Sequence, residues 1–125
     1  MRFERLLTTP VSSSRDLLKL ADLAGVRVDQ IDFKQYMNRD ADYAILNMGT
    51  PALGGTHWVA VANRERAYFD PLGLPRPVVI PPGYAYREMG VQDPRHGRCG
   101  QYCVLWLWHV QHGSADRFFE QFAAL

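Results

Sequence analysis

Residues 57–73 read HWVAVANRERAYFDPLG, and the pattern within them decides the fold. Two apolar runs, 57–62 and 67–73, flank the polar tetrapeptide NRER, which predicts two antiparallel strands joined by a hairpin turn. A symmetric turn sets Ala62 opposite Ala67, Val59 opposite Asp70 and His57 opposite Leu72. Strand side chains alternate between faces, so His57, Val59 and Asp70 share one face. His57 and Asp70 are then diagonal neighbours at roughly 7–8 Å between backbones, within reach of an imidazole and a carboxylate. The same residues have a plainer reading, in which His57 caps a sheet edge and Asp70 opens the turn DPLG. Spacing alone leaves both open.

Outward from the hairpin, the elements alternate in type. SSS at 12–14 supplies a cap, Ser13 or Ser14, for a helix over RDLLKLADLAG. Its Leu17, Leu18, Leu20, Ala21 and Ala24 are spaced for one face, and Gly25 ends it. YAILNM (43–48) is short and apolar enough for a buried strand. LPRPVVIPPG carries four prolines in ten residues and reads as an extended loop. YREMGVQ (86–92) predicts a further short strand. CGQYCVLWLWHVQH (99–112) predicts a mostly buried helix, and SADRFFEQFAAL (114–125) a last amphipathic one capped by Ser114. The expected architecture is α+β, a small mixed sheet packed against helices, in one domain spanning residues 1–125.

Composition agrees with a single core. The chain has 125 residues, 47% of them hydrophobic and 22% charged, with a formal charge of +1 from 14 basic and 13 acidic residues. Such a balance provides no global field for nucleic acid or an anionic membrane. No apolar run approaches the roughly 18–20 residues of a spanning helix, and MRFERLLTTPVSSS has no signal-peptide core. A soluble protein in a reducing, intracellular compartment is expected, since two cysteines do not form a disulfide framework.

Those two cysteines carry the chemistry. Cys99 stands where the loop DPRHGR yields to a helix, with Gly100 beside it. A thiol there feels the positive end of the helix dipole, and its pKa can fall from about 8.5 toward roughly 3.5–7.5. Gly100 has no side chain to obstruct a substrate carbonyl, nearby amides can hold an oxyanion, and the side-chain amide of Gln92 can add a donor. Cys103, one turn on among Val104, Leu105, Trp106 and Leu107, reads as a core thiol. Cys99, Cys103, His109 and His112 superficially match a zinc site. At about 100° per residue, however, Cys103 and His112 fall on opposite sides of one helix, so no metal site is expected. A disulfide between the cysteines would be strained within one turn. His96 reads as a solvated loop residue, and His109 and His112 as cations suited to a helix C-terminus.

Taken together, GGTHWVAVANRERAYFDPLG and VQDPRHGRCGQYC resemble the adenain family, the adenovirus-type maturation cysteine proteases, and more distantly the SUMO-protease superfamily. The matching features are His-Trp after Gly-Gly, an acid within FDPLG, a Gln seven residues before the nucleophile, and C-G-x-x-C. The resemblance implies an adenain-like, papain-like fold with His57 as general base, Asp70 as its orienting acid, Cys99 as nucleophile and Gln92 as oxyanion donor. It also implies cleavage after small residues in Gly-Gly or Gly-x-Gly contexts, with Trp58, Gly54, Gly55 and Gly100 around the substrate. The expected substrates are viral precursor proteins, processed in the host cytoplasm or nucleus or in the virion. A ubiquitin-like modifier, or a catalytically silent peptide-binding role, is the alternative. The family is stimulated by a disulfide-tethered peptide and by viral DNA. No third cysteine exists here to tether a peptide, and Arg64, Arg66, Arg76, Arg87, Arg95 and Arg98 share their span with four acids, which makes nucleic acid a weak expectation. No cofactor is required.

Overall fold

The computed structural model describes residues 13–49, 57–91 and 98–123. Helix α1 (Ser14–Ala24) begins as its sequence demands: the Ser13 hydroxyl oxygen accepts from the Asp16 amide at 3.1 Å, satisfying one of the free N–H groups of the first turn. It ends at Gly25, which adopts a left-handed φ of 69° and donates back to the Ala21 and Asp22 carbonyls. Leu17, Leu20 and Ala21 form its buried stripe.

Five strands follow in sheet order identical to chain order: β1 (Gln30–Phe33), β2 (Tyr43–Asn47), β3 (Trp58–Ala62), β4 (Ala67–Phe69) and β5 (Ala85–Tyr86). The inner pairs β2–β3 and β3–β4 are antiparallel, and the outer pairs β1–β2 and β4–β5 are parallel. Ala62 pairs with Ala67 and Ala60 with Phe69, the register expected from a symmetric NRER turn. Helix α2 (Cys99–Gln111) lies across β3 on one face, flanked by α1 and by α3 (Ala115–Ala123). The core on that face joins Leu17, Ile45, Ala60 and Phe69 to Cys103, Val104, Leu107 and Phe118. Phe69 stacks on Trp106 at 5.5 Å and meets Phe118 edge-on at 5.0 Å.

The far face carries Ala44, Leu46, Val59, Val61 and Tyr68, covered by Ile80 and Tyr84 from the proline-rich loop. That loop is not the extended stretch its prolines suggest. Ile80 donates to the Pro77 carbonyl and Tyr84 to Pro81, each at 3.1 Å, and Arg76 reaches the Pro82 carbonyl at 2.7 Å. Its two turns press Ile80 and Tyr84 onto the sheet, so a sequence unable to join a ladder closes the second core.

Three other expectations are corrected. Strand β1 was not foreseen in QIDF, because four partly buried residues offer neither clean alternation nor an apolar run. Strand β4 stops at Phe69 and does not continue to 73. Of the strand expected over 86–92, Ala85–Tyr86 is the paired part and residues 87–91 are not strand. There Val91 donates to Pro71 at 2.8 Å and so holds the DPLG turn, while Met89 donates to Arg87 at 2.8 Å in a tight local turn. Ser114 precedes α3, and its hydroxyl donates to the His109 carbonyl at 3.3 Å.

Two glycines at positive φ separate backbone preference from crowding. At Gly25 an added Cβ meets nothing within 4 Å, whereas at Gly73 (φ 68°) it would lie 2.5 Å from the Gly90 nitrogen. Urea denaturation should therefore show Gly25→Ala costing roughly 1–2 kcal/mol, the left-handed penalty alone, and Gly73→Ala costing more. Equal losses would mean that the Gly73–Gly90 approach relaxes freely.

Candidate active site

The site forms where the β3–β4 ladder stops. Met48 donates to the His57 carbonyl at 2.8 Å, so the polar backbone groups of His57 point toward β2 and those of Trp58 point the other way, toward β4. The β4 residue facing Trp58 would be Pro71. Proline has no N–H, and the Pro71 carbonyl already accepts from Val91 at 2.8 Å. The Trp58 amide donates instead to Cys99 Sγ at 3.3 Å.

Cys99 is the first residue of α2, its thiol 5% exposed at residue level. His57 Nε2 lies 2.7 Å from Asp70 Oδ1, which leaves Nδ1 as the ring nitrogen not engaged by the carboxylate, and His57 and Cys99 are close enough to shift each other's proton affinity. Asp70 is fixed in turn. Its Oδ1 also accepts from the Leu72 amide at 2.8 Å, its Oδ2 from the Leu74 amide at 3.3 Å, and its carbonyl from Gly73 at 3.0 Å. The two readings of Asp70 are thus one arrangement: the carboxylate that opens the turn is the carboxylate that holds the imidazole.

Charge follows geometry. Burial works against a charged His57, but hydrogen bonds to Asp70 and Cys99 and their negative charge outweigh it and raise the imidazole to about 9. Burial likewise works against the Cys99 thiolate, and the His57 hydrogen bond, the Trp58 amide, the His57 charge and the Gly100 amide overcome it, lowering the thiol below its ordinary value. The resting state this favours is a thiolate–imidazolium pair. Cys103, fully buried in the core, is pushed well above the normal thiol range by desolvation.

Gly100 is buried beside Cys99. Trp58 has a double role in the geometry: its amide touches Sγ, and its side chain lines a cavity of about 260 Å³ with Ser13, Ser14, Ile31, Asp32, Phe33 and Asn47. Sequence reasoning passed over Asn47, although a polar residue inside the apolar run YAILNM was the available signal. Gln92, Gly54, Gly55 and His96 lie outside the described residues, as does Arg95. Of the other arginines, Arg76 is held by loop carbonyls and Arg87 sits 4.9 Å above the Phe119 ring.

His109 departs from its expected role. It is 5% exposed, and burial, helped by the nearby His112 charge, lowers its pKa and keeps it neutral instead of cationic. Nδ1 meets the Ser114 hydroxyl and Nε2 the Gln121 amide nitrogen, each at 3.1 Å, which joins α2 to α3. Among the described residues there is no group of three or more His, Cys, Asp or Glu arranged to hold a metal ion, and no helix is long and apolar enough to cross a membrane. No protein-family model, curated protein or solved structure matches the chain.

Iodoacetamide reads the charge state directly, because the thiolate is the reactive form. Cys99 should alkylate at pH values below the ordinary thiol range, lose rate as pH falls through its lowered pKa, and titrate higher in His57→Ala, while native Cys103 stays unlabelled. An ordinary thiol titration of Cys99, unchanged by His57→Ala, would contradict the ion pair. Stability carries the matching sign: the folded-state pKa of His57 lies above its unfolded value. Its contribution is therefore full below about 6.5 and fades as pH rises through about 9.

Proposed function

We propose that this chain is a cysteine endopeptidase of adenain-like, papain-like design that cleaves peptide bonds after small residues. The observation that carries the reading is the His57–Asp70 pair at 2.7 Å beside a Cys99 thiol that accepts from the Trp58 amide at 3.3 Å, with His57 and Cys99 shifting each other's proton affinity. A merely structural cysteine at a helix start needs neither a hydrogen-bonded imidazole nor an acid oriented by two amides. The sequence resemblance to adenovirus-type maturation proteases supports the same assignment and supplies the biological setting: viral precursor proteins, cut in the host cell or in the virion.

The chemistry runs in two halves. The Cys99 thiolate attacks the scissile carbonyl carbon, and the π-electrons of the carbonyl pass to oxygen. The oxyanion lies against the Cys99 amide, the first of α2 and without an intrahelical acceptor. Gln92 contributes its side-chain amide in the proposed complex. The imidazolium then gives its Nδ1 proton to the leaving nitrogen, the C–N bond breaks, and an acyl-thioester remains on Cys99. Water attacks the thioester as neutral His57 takes its proton, the C–S bond breaks, and the thiolate is restored with the acid product released. Asp70 keeps Nδ1 facing the thiol throughout and stabilises the charged ring.

The cavity beside Trp58 bears on substrate size. At about 260 Å³ it falls just under the roughly 300–1,000 Å³ of sites for drug-sized ligands. It suits one or two small residues; Cys99 and His57 are not in its lining, and Trp58, whose amide meets Sγ, is the residue it shares with the thiol.

Matched peptides with Gly-Gly or Ala-Phe before the cut test the reading. Cleavage should be confined to the small pair and abolished by Cys99→Ser; equal cleavage of the bulky pair would remove the size argument. The kcat/KM profile should be bell-shaped, falling at low pH as Cys99 is protonated and falling again above about 9 as His57 loses the proton it must donate. Asp70→Ala should lower kcat/KM by roughly two to four orders of magnitude.

A further inference from the structure

Asn47 ends β2, on the strand next to the one that carries Trp58, and the two residues face each other across the ladder. They form a pair whose backbone groups point away from one another, as the Met48–His57 bond requires. The Asn47 side chain is on the α2 side of the sheet, since its neighbour in alternation, Ile45, belongs to that core and Leu46 to the other. Asn47 is only 2% exposed, yet it borders the cavity.

Burial at that level makes the hydrogen bonds of the amide decisive. Oδ1 accepts from the Gly49 amide at 2.8 Å, which fixes the orientation of the group, because only the oxygen can accept from an N–H. Nδ2, with two hydrogens to donate, has no hydrogen-bond partner among the described residues. Around it Ile31, Phe33 and Trp58 supply the apolar lining and Ser13, Ser14 and Asp32 the polar lining; the Ser13 hydroxyl is occupied in capping α1, and Asp32 Oδ1 accepts from the Phe33 amide at 2.8 Å. An oriented donor at the border of a cleft of mixed polarity is an arrangement that fixes a ligand acceptor in place and disfavours a ligand that lacks one.

We infer that Asn47 is a substrate-binding residue: its Nδ2 donates to a main-chain carbonyl of the acyl-side peptide as that peptide lies in the Trp58 cavity. This rests on the cysteine-protease reading. The ligand class is a peptide segment of small residues, whose carbonyl is accessible because no bulky side chain separates it from the floor of the cleft. The cavity and the nucleophile are coupled through Trp58, whose side chain walls the first and whose amide touches the second. A peptide held by Asn47 is thereby aligned along β3 toward Sγ.

The test compares two electrophiles on Cys99, iodoacetamide and a capped Gly-Gly chloromethyl ketone, in the wild type, Asn47→Ala and Asn47→Asp. Asn47→Asp keeps the acceptor for Gly49 and the shape while removing the donor, so it serves if Asn47→Ala does not fold by circular dichroism. The peptidyl probe should react about tenfold more slowly with either variant, the effect of losing one neutral hydrogen bond, while iodoacetamide rates stay at the wild-type level. Unchanged peptidyl rates would overturn the role of Asn47. Equal slowing with both probes would also overturn it, by showing that Asn47 supports the thiol and not the peptide. A wild-type Cys99 that reacts with neither probe at neutral pH would remove the protease reading itself, and the inference with it.

Discussion

The site depends on a sheet ladder that is interrupted by one proline. Trp58 presents its amide to the β4 side at the point where β4 would have to supply Pro71, a residue with no N–H and with its carbonyl engaged by Val91. A buried amide left over in this way would be costly, and the Cys99 sulfur removes the cost by accepting from it at 3.3 Å. An acceptor carrying negative charge is the better partner for an N–H, so the need of the sheet and the activation of the thiol point the same way. The same proline follows Asp70 and sends the chain into the turn whose amides hold the carboxylate. One break in pairing therefore positions the acid, frees the donor and leaves room for the helix N-terminus.

Rigidity around that break comes from both faces of the sheet. On one side α2 is buried over most of its circumference, so Cys99 is delivered by a helix that has little freedom to roll. Cys103 shows what the same element does to a thiol one turn deeper: without the imidazole or the free amide, desolvation and the negative charge of Cys99 and Asp70 all raise its pKa, and the thiol is kept neutral. On the other side, the proline-rich loop covers Val59, Val61 and Tyr68. Tyr86 from β5 donates to the Leu74 carbonyl, which ties the end of the DPLG turn to the sheet edge. The contrast between the two cysteines is thus one of partners, at similar burial and on the same helix.

Much of this was legible in the chain because it is local. The Ser13 cap, the Gly25 terminator and the Ala62–Ala67 register each follow from a few adjacent residues, and the register alone was enough to bring His57 and Asp70 to one face. What escaped was set by tertiary context. Strand β1 exists because Gln30–Phe33 pairs in parallel with Ala44–Asn47, a partnership no periodicity within QIDF announces. The end of β4 was hidden because AYFDPLG remains plausible as strand until Pro71 is seen to face Trp58. Residues 87–91 read as strand in the sequence, but the Val91 amide answers to the DPLG turn beside it and the Met89 amide to Arg87. His109 was misread for a related reason: a helix C-terminus favours a cation only when it is exposed, and α3 covers this one.

The cleft explains why the least conspicuous residue of β2 is polar. Asn47 interrupts the run at the strand end nearest the thiol, and the Gly49 amide, by donating to Oδ1, orients the side chain and keeps one of its edges satisfied. Half of the group is then structural and half is free, an allocation that a serine or a valine at 47 would not reproduce. Asp70 uses a related device: backbone amides of the residues that follow it lock its carboxylate, so that Oδ1 meets the imidazole of His57 already aligned, without the entropy loss of ordering a mobile group.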